Sequence, residues 1–133
     1  MNKYYLDANY VVSFLINRND KQHQETKNIF NKAALKELSL ILLTEIVIEV
    51  EYTLRNRYHI SKSHIVSDLT NLISFDYIKV SDRNILIESL KLFKLNNVDL
   101  VDCILYSKAK ANNANVVSFD KDFKKLKKKS PIS

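Results

Sequence analysis

Hydrophobic and polar positions along the chain follow two different periods, and these periods predict the secondary structure. Short apolar runs typical of strands cover residues 3–6, 39–43, 75–80 and 116–119. Apolar positions spaced three and four apart predict amphipathic helices at 9–17, 20–38, 44–57, from Ser61 or Ser63 through Ile73, 82–95 and 99–112. Strands that alternate with helices are typical of βαβ units around a parallel sheet. The pattern therefore predicts an α/β fold, with residues 75–80 as an edge or partly exposed strand.

Polar residues at the helix starts support these boundaries. Asp20, Thr44, Asp82 and Asp99 each precede or open an apolar-periodic stretch, where a side-chain oxygen can accept from the free amides of the first turn. The apolar faces of the next helices predict a core that includes Ile46, Val47, Val50, Leu54, Ile65, Val66, Leu69, Leu72 and Ile73.

The length of 133 residues predicts a single domain over residues 1–133, with enough buried surface for a stable core without disulfide bonds. The single cysteine, Cys103, has no partner for an internal disulfide, and its apolar setting predicts an inert core thiol. The N-terminal residues lack the long apolar stretch of a signal peptide, and no segment is apolar enough to span a bilayer. We therefore expect a cytoplasmic protein that does not enter a membrane.

The composition excludes two classes of cofactor and shows where the excess positive charge lies. The chain has no glycine, whereas phosphate-binding loops of the P-loop and dinucleotide type need glycine for close backbone approach. The net charge is +6, and six lysines lie between Lys121 and Lys129. The basic excess thus belongs to the tail at about 121–133, which suits attraction of a polyanion. A solvated helix end remains the alternative interpretation.

Carboxylates follow several of the apolar runs. Asp7, Asp120 and the helices that carry Glu49, Asp99 and Asp102 all fall at the carboxyl ends of predicted strands, where ligands of doubly wound sheets bind. Converging carboxylates repel one another unless a cation is present, and hard divalent ions such as Mg²⁺ or Mn²⁺ prefer oxygen ligands. The pattern predicts metal-activated hydrolysis of nucleic acid. Taken alone, any one of these aspartates has a second interpretation as a helix N-cap.

The order and spacing of four segments resemble those of a PIN domain, most of all the VapC-type toxin ribonucleases of toxin–antitoxin modules: YYLDANYVVSFLI, LILLTEIVIEVEYTLRNRY, NVDLVDCILYSKAKA and ANVVSFDKDFKKL. The resemblance implies a three-layer α/β/α fold with a central, mainly parallel sheet of four to five strands. It also implies an endoribonuclease dependent on Mg²⁺ or Mn²⁺ that acts on RNA, forms a homodimer, and has a cognate antitoxin that blocks the acidic pocket.

The resemblance assigns roles to the first two segments. Asp7 is similar to the first metal ligand of such domains, and Asn9 to the polar residue that braces it. The family glutamate lies nine residues before a tyrosine, which points to Glu49 before Tyr58. Spacing alone does not choose among Glu49 and its neighbours Glu45 and Glu51.

The resemblance also assigns roles to the last two segments. Asp102 is similar to the main ligand of the third segment, with Asp99 as an auxiliary ligand. Asp120 is similar to the last acid, and Asp122 is expected either to support the metal ligands without binding the metal itself or to be a surface residue. The catalytic set is thus Asp7, Glu49, Asp102 and Asp120, and Asp99 joins it in holding metal.

Two other functions compete with this interpretation. A PIN-like domain can serve as an RNA- or protein-binding module without catalysis, and loss of one of the acids would be its signature. A phosphatase that forms an aspartyl-phosphate also places an aspartate after its first strand. Such enzymes carry a second acid two residues later, where this chain has Asn9.

Overall fold

The computed structural model describes residues 1–128, without the side chain of Lys128. The rest of the predicted basic tail, residues 129–133, lies outside the described residues. The elements in chain order are β1 (Lys3–Tyr5), α1 (Ala8–Leu15), α2 (Asp20–Ala34), β2 (Ser39–Leu42), α3 (Thr44–Asn56), α4 (Lys62–Ser74), β3 (Ile78–Val80), α5 (Arg83–Leu95), α6 (Leu100–Ala111) and α7 (Asp122–Lys128).

The strands form a parallel sheet in the order β1-β2-β3. Leu40 of β2 is in register with Tyr4 of β1 on one side and with Ile78 of β3 on the other. The central strand β2 is mostly buried, whereas all of β1 is exposed. The α/β class and the parallel sheet are confirmed, and so is the edge position of the strand within residues 75–80.

The sheet has three strands in the part of the chain that the structure describes, fewer than the four to five expected. The strand predicted at 116–119 is the difference, since this segment belongs to no strand. The side chains of Val117 and Phe119 are fully exposed at 100% and 108%. An apolar run becomes a strand only when a neighbouring backbone accepts its hydrogen bonds, which local sequence does not decide.

Helix α2 begins at Asp20 as predicted, and α3 begins at its predicted cap residue. Asn19 is the N-cap of α2, where its side chain accepts from the backbone N–H of Gln22 at 3.0 Å. Thr44 is the first residue of α3 and not its N-cap, because Leu43 occupies that position. The predicted cap Ser61 is confirmed, and its hydroxyl accepts from the backbone N–H of His64 at 3.3 Å.

Left-handed residues terminate helices without any glycine in the chain. Lys36, His59 and Asn113 have φ values of 62°, 54° and 54°, and they follow α2, α3 and α6. Beyond Lys36 the backbone N–H of Glu37 donates to the carbonyl of Lys32 at 2.9 Å, which closes the end of α2. Each non-glycine residue in this conformation carries about 1–2 kcal/mol of strain, so relief of that strain would increase the free energy of unfolding.

The core is one cluster of apolar side chains from the sheet and helices. Of the predicted core residues, Ile46 is half-buried, and the others are buried as expected: Val47, Val50, Leu54, Ile65, Val66, Leu69, Leu72 and Ile73. Packing of α5 against α4 and α6, and of α3 against α1 and α6, fixes the helices that carry the acids. No helix within residues 1–128 has the length and apolar character needed to cross a bilayer.

Candidate metal centre

The candidate centre is a cluster of three aspartates that two segments bring together. Asp102 lies in the first turn of α6, and Asp120 and Asp122 lie at the start of α7. One carboxylate oxygen from each of the three lies within 4.8 Å of the other two. This acidic cluster offers only hard oxygen ligands, which is the donor set that Mg²⁺ and Mn²⁺ prefer. The three carboxylates therefore fit a divalent cation.

The surroundings of Asp102 disfavour the charged form of its carboxylate. Partial burial raises the pKa of Asp102, and the negative charges of Asp120, Asp99 and Asp122 raise it further. The carboxylate of Asp99, at the N-cap position of α6, makes no capping hydrogen bond with any described residue. Asp99 thus contributes charge to the site instead of acting as an N-cap, the alternative interpretation of its position. A bound cation would relieve this repulsion.

Local turns hold Asp120 and Asp122 in place. The backbone N–H of Asp120 donates to Ser118 Oγ at 2.9 Å, and the backbone N–H of Asp122 donates to Asp120 Oδ1 at 2.9 Å. Lys125 forms an ion pair with Asp122 at 3.2 Å. Asp122 thus lies in the acidic cluster itself, whereas the sequence suggested a helper or surface residue. Its role in metal binding stays a prediction.

Asp7 lies at the carboxyl end of β1, where the sequence predicts it. It occupies the N-cap position of α1, is exposed, and makes no capping hydrogen bond to the described chain. Asp7 and Asn9 line a polar cavity of about 280 Å³ between α1 and α2. Asp7 is not one of the three residues of the acidic cluster. Convergence of Asp7 with the cluster therefore stays a prediction.

The structure removes one of the three glutamates of α3 that spacing alone could not distinguish. Glu51 is 3% exposed and accepts two hydrogen bonds from Arg55, at 2.7 Å from Nε and 3.3 Å from Nη2, so it belongs to a structural ion pair. Glu45 and Glu49 are both exposed and both lie outside the three-residue cluster. Exposure does not choose between them, and Glu49 remains the candidate ligand because of the resemblance.

Arg55 of α3 pairs with Glu51 near the candidate site. Its pKa is raised by the hydrogen bond from its guanidinium to Glu51, and the negative charge of Asp99 also raises it. The positive charge of Arg55 is therefore felt by Asp99 at the start of α6. The i,i+4 spacing of Glu51 and Arg55 was the signal that could have revealed the pair.

Cys103 is fully buried behind Asp102, and burial raises the pKa of its thiol to about 12. The inert core thiol is confirmed. No histidine belongs to a metal-binding group in the described residues, and His59 and His64 are exposed. His23 is half-buried, with Nδ1 2.7 Å from the carbonyl oxygen of Ser13.

Lysines lie next to the acidic cluster. Asp120 lines a second cavity, of about 350 Å³, together with Lys124 and Lys127 of α7. Both lysines are exposed. Positive charge at the rim of a carboxylate site suits a phosphate-rich ligand, which is attracted by the rim and reaches the acids only if a cation is bound.

The fold and these acids define a class of protein. The chain matches the PIN domain family over residues 4–129, and it belongs to that family. It is also similar to a VapC ribonuclease of Aquifex aeolicus (strain VF5), with 26% identity over 122 residues that cover 91% of this chain and 90% of the relative. No solved structure matches the chain. The resemblance seen in the sequence is confirmed at the level of the family.

Proposed function

We propose that this protein is a metal-dependent endoribonuclease and the toxin of a toxin–antitoxin pair. Membership of the PIN family and the similarity to a VapC ribonuclease along most of both chains support the class of activity. The observation that carries the proposal is the acidic cluster of Asp102, Asp120 and Asp122, whose oxygens lie within 4.8 Å of one another.

The residues proposed to hold Mg²⁺ or Mn²⁺ are Asp102 and Asp120, with Asp7, Glu49 and Asp99 completing the set. When bound, the ion would polarise a phosphodiester and activate the attacking water. Asn9 is proposed to brace Asp7, to which it is close in sequence. Asp122 is proposed to hold the first turn of α7 against Asp120 and to contribute negative charge.

The chain's own groups would orient the RNA at this site. Partial burial of Asp102 lowers the local dielectric, which strengthens its attraction to a cation. The exposed lysines of α7 would contact phosphates on either side of the scissile bond. Tyr52, which is 60% exposed, is proposed to stack on unpaired bases, whereas Tyr58 is half-buried and is held by its hydrogen bond from Arg18.

The partners proposed with this function are RNA, a cognate antitoxin that covers the acidic site, and a second copy of the chain. The compartment proposed is the cytoplasm, where RNA and such an antitoxin meet. The antitoxin would have to offer positive charge to the acids in place of the metal ion, because the carboxylates repel one another otherwise.

A cleavage assay tests the proposal. Purified protein is incubated with a panel of structured RNAs in Mg²⁺, in Mn²⁺ and in EDTA, alongside Asp7→Asn and Asp102→Asn. We expect cleavage only with metal, and at least a hundredfold loss in both variants, because each removes charge that holds the ion. Asp76→Asn is the matched control, since Asp76 precedes β3 at the opposite edge of the sheet. Equal cleavage in EDTA would refute a metal nuclease.

Growth measurements test the toxin assignment separately. Induced expression of the wild-type chain alone should arrest growth, whereas Asp7→Asn should not. Soluble, metal-binding wild-type protein that leaves growth unaffected would contradict a toxin but not a nuclease.

A further inference from the structure

The cavity beside Asp7 is lined by polar side chains that take no part in the proposed metal centre. It has a volume of about 280 Å³, and its polar wall is formed by Arg18, Gln22 and Glu25. Arg18 lies between α1 and α2, and the other two belong to α2. Cation, amide and carboxylate thus surround one space that adjoins a proposed catalytic acid.

Arg18 is a fixed cation in this wall. Its Nη1 donates to the hydroxyl of Tyr58 at 2.9 Å, and its Nη2 donates to the carbonyl of Asn9 at 2.9 Å and to Ser13 Oγ. Its Nε is buried and has no hydrogen-bond partner among residues 1–128. The guanidinium is therefore held rigidly, with both Nη groups donating to the protein and Nε buried, so Arg18 contributes a fixed positive charge to the cavity wall.

Gln22 and Glu25 face the cavity from one side of α2. They are three residues apart, so they share a helix face, and both are exposed. Tyr10 of α1 adds a half-buried aromatic wall. Burial raises the pKa of Tyr10, and the nearby charge of Glu25 raises it further, so the phenol stays protonated. The cavity combines an aromatic surface with a carboxylate acceptor.

We propose that this cavity binds an unpaired guanine base of the RNA substrate next to the scissile phosphate. Guanine is the RNA base with two adjacent N–H donors on its Watson–Crick edge, and these match the acceptor-only carboxylate of Glu25. Its O6 and N7 acceptors suit the amide donor of Gln22 and the fixed positive charge of Arg18. Adenine would instead turn its N1 acceptor toward the carboxylate, which repels it.

The position of the cavity links base recognition to cleavage. Asp7 lines the cavity and is also a proposed metal ligand, so a base bound in the cavity would lie beside one of the residues proposed to hold the metal. Base selection would therefore act at the cut site itself. The inference rests on the proposed function for its substrate, but the binding preference can be measured without cleavage.

Two measurements test the inference. In the first, RNAs that differ only in one unpaired base at the cut site are compared by kcat/KM. The wild-type protein should prefer guanine over adenine by about tenfold or more, as expected for a paired carboxylate contact. Inosine, which lacks the 2-amino group, should lose much of that advantage. Glu25→Gln should remove the difference between guanine and inosine, whereas Gln24→Ala, outside the cavity on α2, should keep it.

In the second measurement, 5′-GMP and 5′-AMP are titrated into the wild-type protein in EDTA, and backbone amide shifts are followed by NMR. GMP should bind more tightly and shift amides around Gln22, and Glu25→Gln should abolish the preference. A protein that cleaves RNA but shows no guanine preference overturns this inference and leaves the nuclease intact. A protein that prefers GMP but cleaves no RNA overturns the nuclease alone. Weaker antitoxin binding by Glu25→Gln with unchanged base preference would assign the cavity to a protein and overturn the inference.

Discussion

Removal of the Arg55 guanidinium should leave a buried carboxylate without a partner. Glu51 is 3% exposed, and its two oxygens accept from Arg55 at 2.7 Å and 3.3 Å. Loss of one partner from a fully buried ion pair costs about 3–5 kcal/mol. Arg55 is 40% exposed, so water already screens its end of the pair. We therefore expect Arg55→Leu to lower the free energy of unfolding by about 2 kcal/mol.

Urea denaturation followed by circular dichroism measures this effect. With a slope of about 1–3 kcal/mol per molar urea, the midpoint of Arg55→Leu should fall by about 1 M. The double variant Glu51→Leu/Arg55→Leu should recover most of the loss, because apolar replacement of a buried pair is often neutral. Far-ultraviolet circular dichroism spectra of the single and double variants that agree with the wild-type spectrum before denaturation would show that both variants keep the fold.

Glu49→Gln is the matched comparison on the same helix. Because Glu49 is exposed, its stability change should stay within about 0.5 kcal/mol, while metal-dependent RNA cleavage should be lost. A loss below about 0.5 kcal/mol for Arg55→Leu, or no recovery in the double variant, would refute a structural role for the ion pair. If Glu49→Gln destabilises the protein, the conclusion that Glu51 serves stability and Glu49 serves function is wrong.

The remaining predictions concern the acids, the helix ends and the thiol. The pKa of Asp102 is raised, so the folded protein binds the proton of this carboxyl more tightly than the unfolded chain does. The charged form that is present at pH 7 therefore destabilises the fold, and Asp102→Asn should stabilise the metal-free protein at pH 7. The same substitution should give no gain in stability below the ordinary aspartate pKa. A pH-independent difference in thermal unfolding would contradict this. Lys36→Gly should add about 0.5–1 kcal/mol of stability in urea titrations and Asn113→Gly less, because asparagine tolerates positive φ. Cys103 should react with iodoacetamide only after unfolding, and native labelling detected by mass spectrometry would disprove its burial.

Helices α1 to α6 were predictable because each carries an apolar face with its own period. The residues at 61–73 show this, since Ile65, Leu69 and Ile73 are buried as their spacing requires. Helix α7 was not predicted, and segment 116–119 before it shows the limit of the same reasoning. Its apolar run is typical of a strand, but a strand needs a neighbouring backbone, and the side chains of Val117 and Phe119 lie in solvent instead.

The candidate site divides in the same way. The sequence placed Asp102 in the first turn of a helix, where it is found, because this position depends on local helix signals. It placed Asp120 at the end of a strand, whereas the structure has Asp120 in the turn before α7. It did not show that Asp122 lies with these two aspartates, since membership of a cluster depends on how α7 packs against α6. Arg18 had no local signal at all, because its hydrogen bond to Tyr58 spans forty residues.

The sequence by itself determined the α/β class, the first six helices, the resemblance to PIN domains and the acids worth testing. These follow from periodicity and short-range spacing, which each segment carries without its neighbours. Tertiary structure decided that Glu51 is paired and Glu49 exposed, and that Asp122 lies with Asp102 and Asp120. It also decided that a carboxylate and a guanidinium share a cavity beside Asp7. Burial and distance between remote residues arise only when helices pack, and the electrostatic energy of each acid depends on both.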